Sequence, residues 1–251
     1  MFTKNSFLSL LVVRFSIVIF LVAKGLRFLL YYFFLVSLFS KFQNIHGYTG
    51  REIIFAFFTF SVIDTLVQLL FREVYRFRPM IVSGDFDLVL VKPMNALFRS
   101  LVGGADLIDL CLLIPFIVFL IQSMIHLPYI SFSSVILYVL FVVNSFFIAT
   151  GFHIFVLSLT IITSEIDHTV MIYRDLTSMG RIPVDIYKEP LQSIITYIFP
   201  VGIMMTFPVK VFMQTLSPVL VILSFGIGIG FFSFALFFWY RTLRRYTSAS
   251  S

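Results

Sequence analysis

Two pairs of carboxylates are the first candidates for chemistry: Asp85 with Asp87, and Asp106 with Asp109. Acid groups so closely spaced could hold a divalent cation and serve a metal-dependent lipid transferase. Neither pair stands in the longer Asp- and Gly-rich motif that such an enzyme uses. A solvated loop for the first pair and a helix start for the second are the simpler readings. His46, His126, His153 and His168 are scattered, with no H-E-x-x-H or related metal spacing. The single cysteine, Cys111, excludes an intrachain disulfide and a cysteine metal cluster. No G-x-x-x-x-G-K-[ST] occurs, so the chain has no P-loop for a nucleotide. It is therefore expected not to be an enzyme by itself and to bind no cofactor or metal directly.

Lys24, Arg27 and Asp64 are unusual because of where they stand, inside apolar runs. Of the 251 residues, 60% are hydrophobic and 12% charged, against about 25% charged in a soluble domain. Mean hydropathy is +1.04. A water-soluble fold of this length could not hide so much apolar surface, so the solvent must be lipid. The net charge of +6 does not point to nucleic acid. The cations flank apolar runs, where cytoplasmic loops of membrane proteins carry them. An N-terminal signal peptide is not expected, because the run 15–23 meets Lys24 and Gly25 without a small-residue cleavage site.

A helix crosses the hydrocarbon core in about 20 apolar residues. Runs at 16–39, 53–71, 107–125, 135–162, 191–213 and 216–240 meet that length, and the fold class is an all-α polytopic bundle with six crossings. Lys and Arg concentrate in the N-terminal arm (1–15), in 72–99 and in the tail (241–251), so both termini are expected in the cytoplasm. The fifth crossing is open. Pro200 and Pro208 interrupt 191–213, and the alternative puts the crossing at 168–183, with 191–213 a re-entrant hairpin on the outer side.

Within this frame the charges acquire depth. Lys24 and Arg27, three apart, share a helix face. Lys24 lies about 12 Å and Asp64 about 10 Å from the cytoplasmic end, at about 1.5 Å per residue. A Lys24–Asp64 or Arg27–Asp64 contact is expected, unless the two cations snorkel to the interface and the span starts later. Gly226 and Gly230 form a G-x-x-x-G spacing that permits close helix approach, within the chain or between subunits. Residues 72–99 alternate basic ends, Pro-Met-Ile, Gly84-Asp85, an apolar stretch 86–91 and Lys92-Pro93. That composition suits either an interfacial helix on anionic lipid or a docking element for a soluble partner.

The runs IHGYTGREI, VSGDFDLVLVKPMNALF, GRIPVDIYKEPL and ITYIFPVGIMMTFPVKVF follow one another in this order. Together they resemble a branch of bacterial ABC transporter permeases of the type 2 exporter class. G-D-x-D-x-x-L-x-K-P is the most specific part. The resemblance implies six spans, an amphipathic N-terminal helix, a cytoplasmic coupling helix within 72–100, and an outer re-entrant segment within 181–213. It further implies a bacterial plasma-membrane protein that works as a dimer, with a second copy or a paralogue, on separate ATPase subunits that bind ATP and Mg. By that likeness Arg72, Arg76, Gly84, Asp85, Asp87, Lys92 and Pro93 lie near the ATPase, and alternating access exports a lipidic or amphipathic substrate. Two other classes stay open: a self-sufficient secondary transporter or channel using Lys24, Arg27 and Asp64, and an intramembrane enzyme using Asp85 and Asp87.

Overall fold

The computed structural model describes residues 14–41, 44–104, 107–163 and 167–247. The expected N-terminal amphipathic helix, except for its last two positions, and Asp106 lie outside them. Among the described residues, five helices are long and apolar enough to cross a membrane. They are α1 (Arg14–Lys41), α2 (Gly50–Leu70), α6 (Leu107–Ile125), α7 (Phe132–Thr163) and, last in the chain, α11 (Pro218–Leu243). The only strands among those residues form a two-residue hairpin, Asn44–Ile45 with Tyr48–Thr49.

That hairpin replaces the expected loop between the first two spans. His46 and Gly47 both have positive φ, 50° and 84°, the combination a tight two-residue hairpin turn demands. Thr49 then starts α2 with a capping box, its N–H donating to Glu52 Oε2 at 2.7 Å. The other Glu52 oxygen accepts from the Tyr129 hydroxyl at 2.8 Å. The α2 helix is the buried axis of the bundle; Phe55, Ile63 and Val67 are almost fully enclosed. The first span is its opposite, with most of its apolar side chains facing outward.

Between α2 and α6 the chain folds into a connector: a 3-10 turn (Arg72–Arg76), α3 (Phe77–Val82), α4 (Asp85–Val91) and α5 (Ala96–Leu101). Phe77 and Phe86 meet edge to face at 5.0 Å and both pack toward Trp239 of α11. Burying three large aromatics anchors the connector to the bundle; each is worth about 1.5–3 kcal/mol when enclosed. Glu73 closes it by an ion pair with Arg99 at 2.8 Å. At this end also lie the last turns of α7 and α11, where Ile81, Ile161 and Thr242 line a shared cleft.

Contacts trace the path of the chain between α7 and α11. After α7, helix α8 (Asp167–Ser178) starts at the connector end. A 3-10 turn (Met179–Arg181) carries the chain on to Phe60, half-way along α2. Asp185 then accepts from the Tyr48 hydroxyl at 2.5 Å, at the opposite end of the bundle. The following two limbs, Leu191–Ile198 and Gly202–Phe212, are bent by 80°. Gln192, opening the first limb, and Lys210, near the close of the second, both reach Asp185 Oδ1, at 3.4 and 3.1 Å. Both ends of the pair therefore sit at one level, and their turn reaches inward, where a Cβ on Gly180 would stand 2.7 Å from Met205. The two limbs within 191–213 thus bend back with both ends tied to Asp185, and residues 167–185 run from the connector end past Phe60 to Tyr48. The short limbs carry π-helical turns (Ile194–Ile198, Gly202–Thr206) and α10 (Phe207–Phe212). The three-residue helix Leu191–Ser193, α9, opens the first.

Gly226 and Gly230 do not serve packing within the chain: a Cβ on either meets nothing within 4 Å. The close approach of α7 and α11 uses Gly228 instead, where a Cβ would lie 2.0 Å from Asn144 Oδ1, and Gly151, against Phe231. Asn144 also donates to the Ser224 carbonyl at 3.1 Å. The spacing of the G-x-x-x-G pair was visible in the chain; which face it occupied was not.

Candidate functional site

Two regions draw together the residues singled out from the chain. The first is the connector. Gly84 caps α4 with φ of 78°, a left-handed conformation that L side chains rarely adopt. Asp85 accepts from the Ser83 hydroxyl at 2.7 Å, and the Asp87 amide donates to the Gly84 carbonyl at 3.0 Å. Tyr246 packs edge-on against Phe86 at 5.3 Å. Burial, with the Asp87 carboxylate nearby, pushes the Tyr246 hydroxyl up to about 12. Arg72 lies 6.0 Å from the Tyr75 ring, and Arg76 is 3.8 Å from Glu73. Arg76, Asp85, Lys92 and Pro93 are exposed on this end of the bundle. So are the apolar side chains of Val82, Leu88, Val91 and Phe98. The connector thus buries one aromatic face and presents a mixed apolar and charged one.

The second region is a cavity of about 340 Å³ among α1, α2, α6 and the turn at Arg181. Lys24, Arg27, Asp64, Asp109 and Arg181 all line it. Lys24 pairs with Asp109 Oδ1, not with Asp64 as expected. The reason is register: Asp109 stands in the first turn of α6, facing α1, whereas Asp64 turns toward its own helix and accepts from Gln68 at 2.7 Å. Asp109 is thus a helix-start residue, as read from the chain, but it faces into the bundle rather than to solvent. Asp109 Oδ2 is buried and has no hydrogen-bond partner. The Arg181 guanidinium lies 5.9 Å from the Tyr31 ring and 5.8 Å from Phe60, within cation–π range. Its charge also acts on Asp64 through space, as does that of Arg174. Among the described residues no ion pair involves Arg27 or Arg181.

Arg181 and Asp109 belong to the site although nothing in the chain singled out the former. Arg181 is the second residue of GRIPVDIYKEPL, read only as the start of the re-entrant segment. The close approach at Gly180, where Met205 leaves no room for a Cβ, brings that turn against the hairpin beside α2. Among the described residues no group of three or more His, Cys, Asp or Glu could hold a metal ion. With cations and carboxylates lining one cavity, the site can attract and orient a charged group.

A protein-family model described as "ABC-2 family transporter protein" matches residues 26–250. Neither the curated proteins nor the solved structures yielded a match.

Proposed function

Because the chain belongs to the ABC-2 family of transporter proteins, a membrane transport component, we propose that it is the permease subunit of an exporter driven by a separate ATPase. Both termini would then be cytoplasmic in a bacterial inner membrane, since Lys and Arg gather at the connector end. The connector would be the element that meets the ATPase, with ATP and Mg bound by that partner alone. The observation that carries this reading is its double face. Phe77 and Phe86 lock it onto Trp239, so a push on the connector moves the helix ends beneath it. Val82, Leu88, Val91 and Phe98 are exposed on the same connector as Arg76, Asp85 and Lys92, the mixed apolar and charged composition of a protein interface.

Alternating access follows as the mechanism. Closure of the ATPase pair would draw two connectors together, and the bundles of two copies, identical or paralogous, would reopen toward the other side. No residue of this chain needs to make or break a bond. The purified chain alone is expected to hydrolyse no ATP. Asp85→Lys or Lys92→Glu is expected to lower capture of the co-expressed ATPase about tenfold, a loss of about 1.4 kcal/mol. ATP hydrolysis by the chain alone, or ATPase capture indifferent to both reversals, would overturn the proposal. Ion-driven flux through the purified chain without ATP would instead favour a self-sufficient transporter built on Lys24, Arg27 and Asp64.

A further inference from the structure

The charge count of the intramembrane cavity is not balanced. Three cations, Lys24, Arg27 and Arg181, face two carboxylates, Asp64 and Asp109. Lys24 is matched by Asp109, and Arg181 is opposed through space by Asp64. Arg27 is left as a surplus cation on the rim, on an exposed stretch of α1. An uncompensated charge at membrane depth is costly and marks a place where a counter-charge is handled. Asp109, which also lines the space, has a buried second oxygen, Oδ2, without a donor. One wall is aromatic, where Phe28 packs on Phe57 at 5.1 Å and on Phe116 at 4.4 Å, and Tyr31 on Phe57 at 5.0 Å. The rim residues Leu30 and Phe34 are exposed at 62% and 57%, so the cavity opens sideways toward lipid.

We propose that this cavity binds an anionic amphiphile, with a phosphate or carboxylate head group held by Arg27 and Arg181. The first part of the chain lies along Phe28, Tyr31 and Phe34. Size sets the limit of what enters. A volume of about 340 Å³ is at the lower end of ligand pockets, about 300–1,000 Å³, enough for a head group and the start of one chain. The rest stays in the bilayer. Guanidinium groups suit this task because they give paired donors to phosphate or carboxylate while their planes rest on aromatic rings, as Arg181 does on Tyr31 and Phe60. That the amphiphile is the exported cargo rests on the transporter reading above; that it binds does not.

Binding is measured by native mass spectrometry of the full chain in a neutral maltoside detergent, with no ATPase present, so its outcome is independent of the coupling tests. The probes are dodecyl phosphate, dodecyltrimethylammonium and inorganic phosphate, with phosphatidylglycerol as competitor. Dodecyl phosphate is expected to be retained at least tenfold more than the trimethylammonium probe. Arg27→Gln with Arg181→Gln is expected to abolish that preference, and Arg27→Lys to keep most of it. Arg27→Gln alone, at an exposed position, is expected to weaken binding several-fold without touching the packed interior. Competition by phosphatidylglycerol assigns the site to a membrane lipid, and failure to compete assigns it to a single-chain amphiphile; both support the proposal. Equal retention of the cationic probe, undiminished binding in Arg27→Gln, or displacement by inorganic phosphate at equal concentration overturns it.

Discussion

Lys24 and Asp109 are 85 residues apart, yet they form the one ion pair among the described residues that sits between spans. Asp109 is almost fully buried and Lys24 about one third exposed on its side chain. Removing one partner of such a pair leaves an unmatched charge where water is scarce, a loss of roughly 3–5 kcal/mol, whereas removing both is far milder. Asp109→Asn is therefore expected to lower the melting temperature in detergent sharply, and Lys24→Gln added to it to restore part of the loss. Additive losses would show that the two residues act apart. Asp64→Asn is expected to cost less, because Asp64 accepts from the neutral Gln68 and meets Arg181 and Arg174 only through space. Neither partner assignment was legible in the chain. Depth arithmetic placed Lys24 and Asp64 at similar levels, but the face each helix turns to its neighbour is set by packing that only the fold defines.

At the scale of elements, Asp185 is the tie between the two ends of the re-entrant hairpin and the turn at Tyr48. Burial first, then the Asp185 carboxylate, hold the Tyr48 hydroxyl well above its ordinary value. The sign is that of a raised group: its contribution is complete below the unfolded value of about 10 and is lost only as pH rises through the higher folded value. Tyr48→Phe is expected to lower the melting temperature by a few degrees, about 2–4 °C per kcal/mol at this chain length. The gap to the parent should persist unchanged from pH 7 to pH 9. A gap that closes across that range would show that Tyr48 is already ionising. Elements governed by long apolar runs were readable, whereas the Thr49–Glu52 cap that starts α2 was not singled out. The β-turn at His46-Gly47 and the two limbs around Pro200 were less readable, because a loop and a hairpin share composition. The connector showed recurring apolar residues, but its four short helical pieces depend on Trp239, far off in sequence, to supply the surface they bury.

For the whole molecule, an unfinished exterior is the main feature. Among the described residues, most apolar side chains of α1 face outward, and a Cβ on Gly226 or Gly230 of α11 would meet nothing within 4 Å. Gly226→Ala and Gly230→Ala are expected to leave the isolated chain as stable as before or slightly more so, since alanine exceeds glycine in a helix by about 1 kcal/mol. If a second permease copy packs there, the larger Gly226→Leu with Gly230→Leu will shift the particle mass from dimer to monomer in detergent while melting is unchanged. An unchanged mass would place those glycines against lipid. Composition alone established the membrane setting, and five of the six apolar runs are long helices among the described residues; surface that waits for another molecule leaves no signature in one chain.

The length of α7 has a mechanical consequence. Its 32 residues make a rod of about 48 Å, well beyond the roughly 30 Å of hydrocarbon. Asn144, seated in the notch at Gly228, lies nearer one tip than the other, with about 18 Å of helix on the hairpin side and about 28 Å on the connector side. A stiff beam pivoting on that notch has unequal arms. Rotation of a few degrees therefore sweeps the connector tip through about one and a half times the arc of the far tip, so a large stroke beside the connector becomes a smaller, more forceful one beside the hairpin.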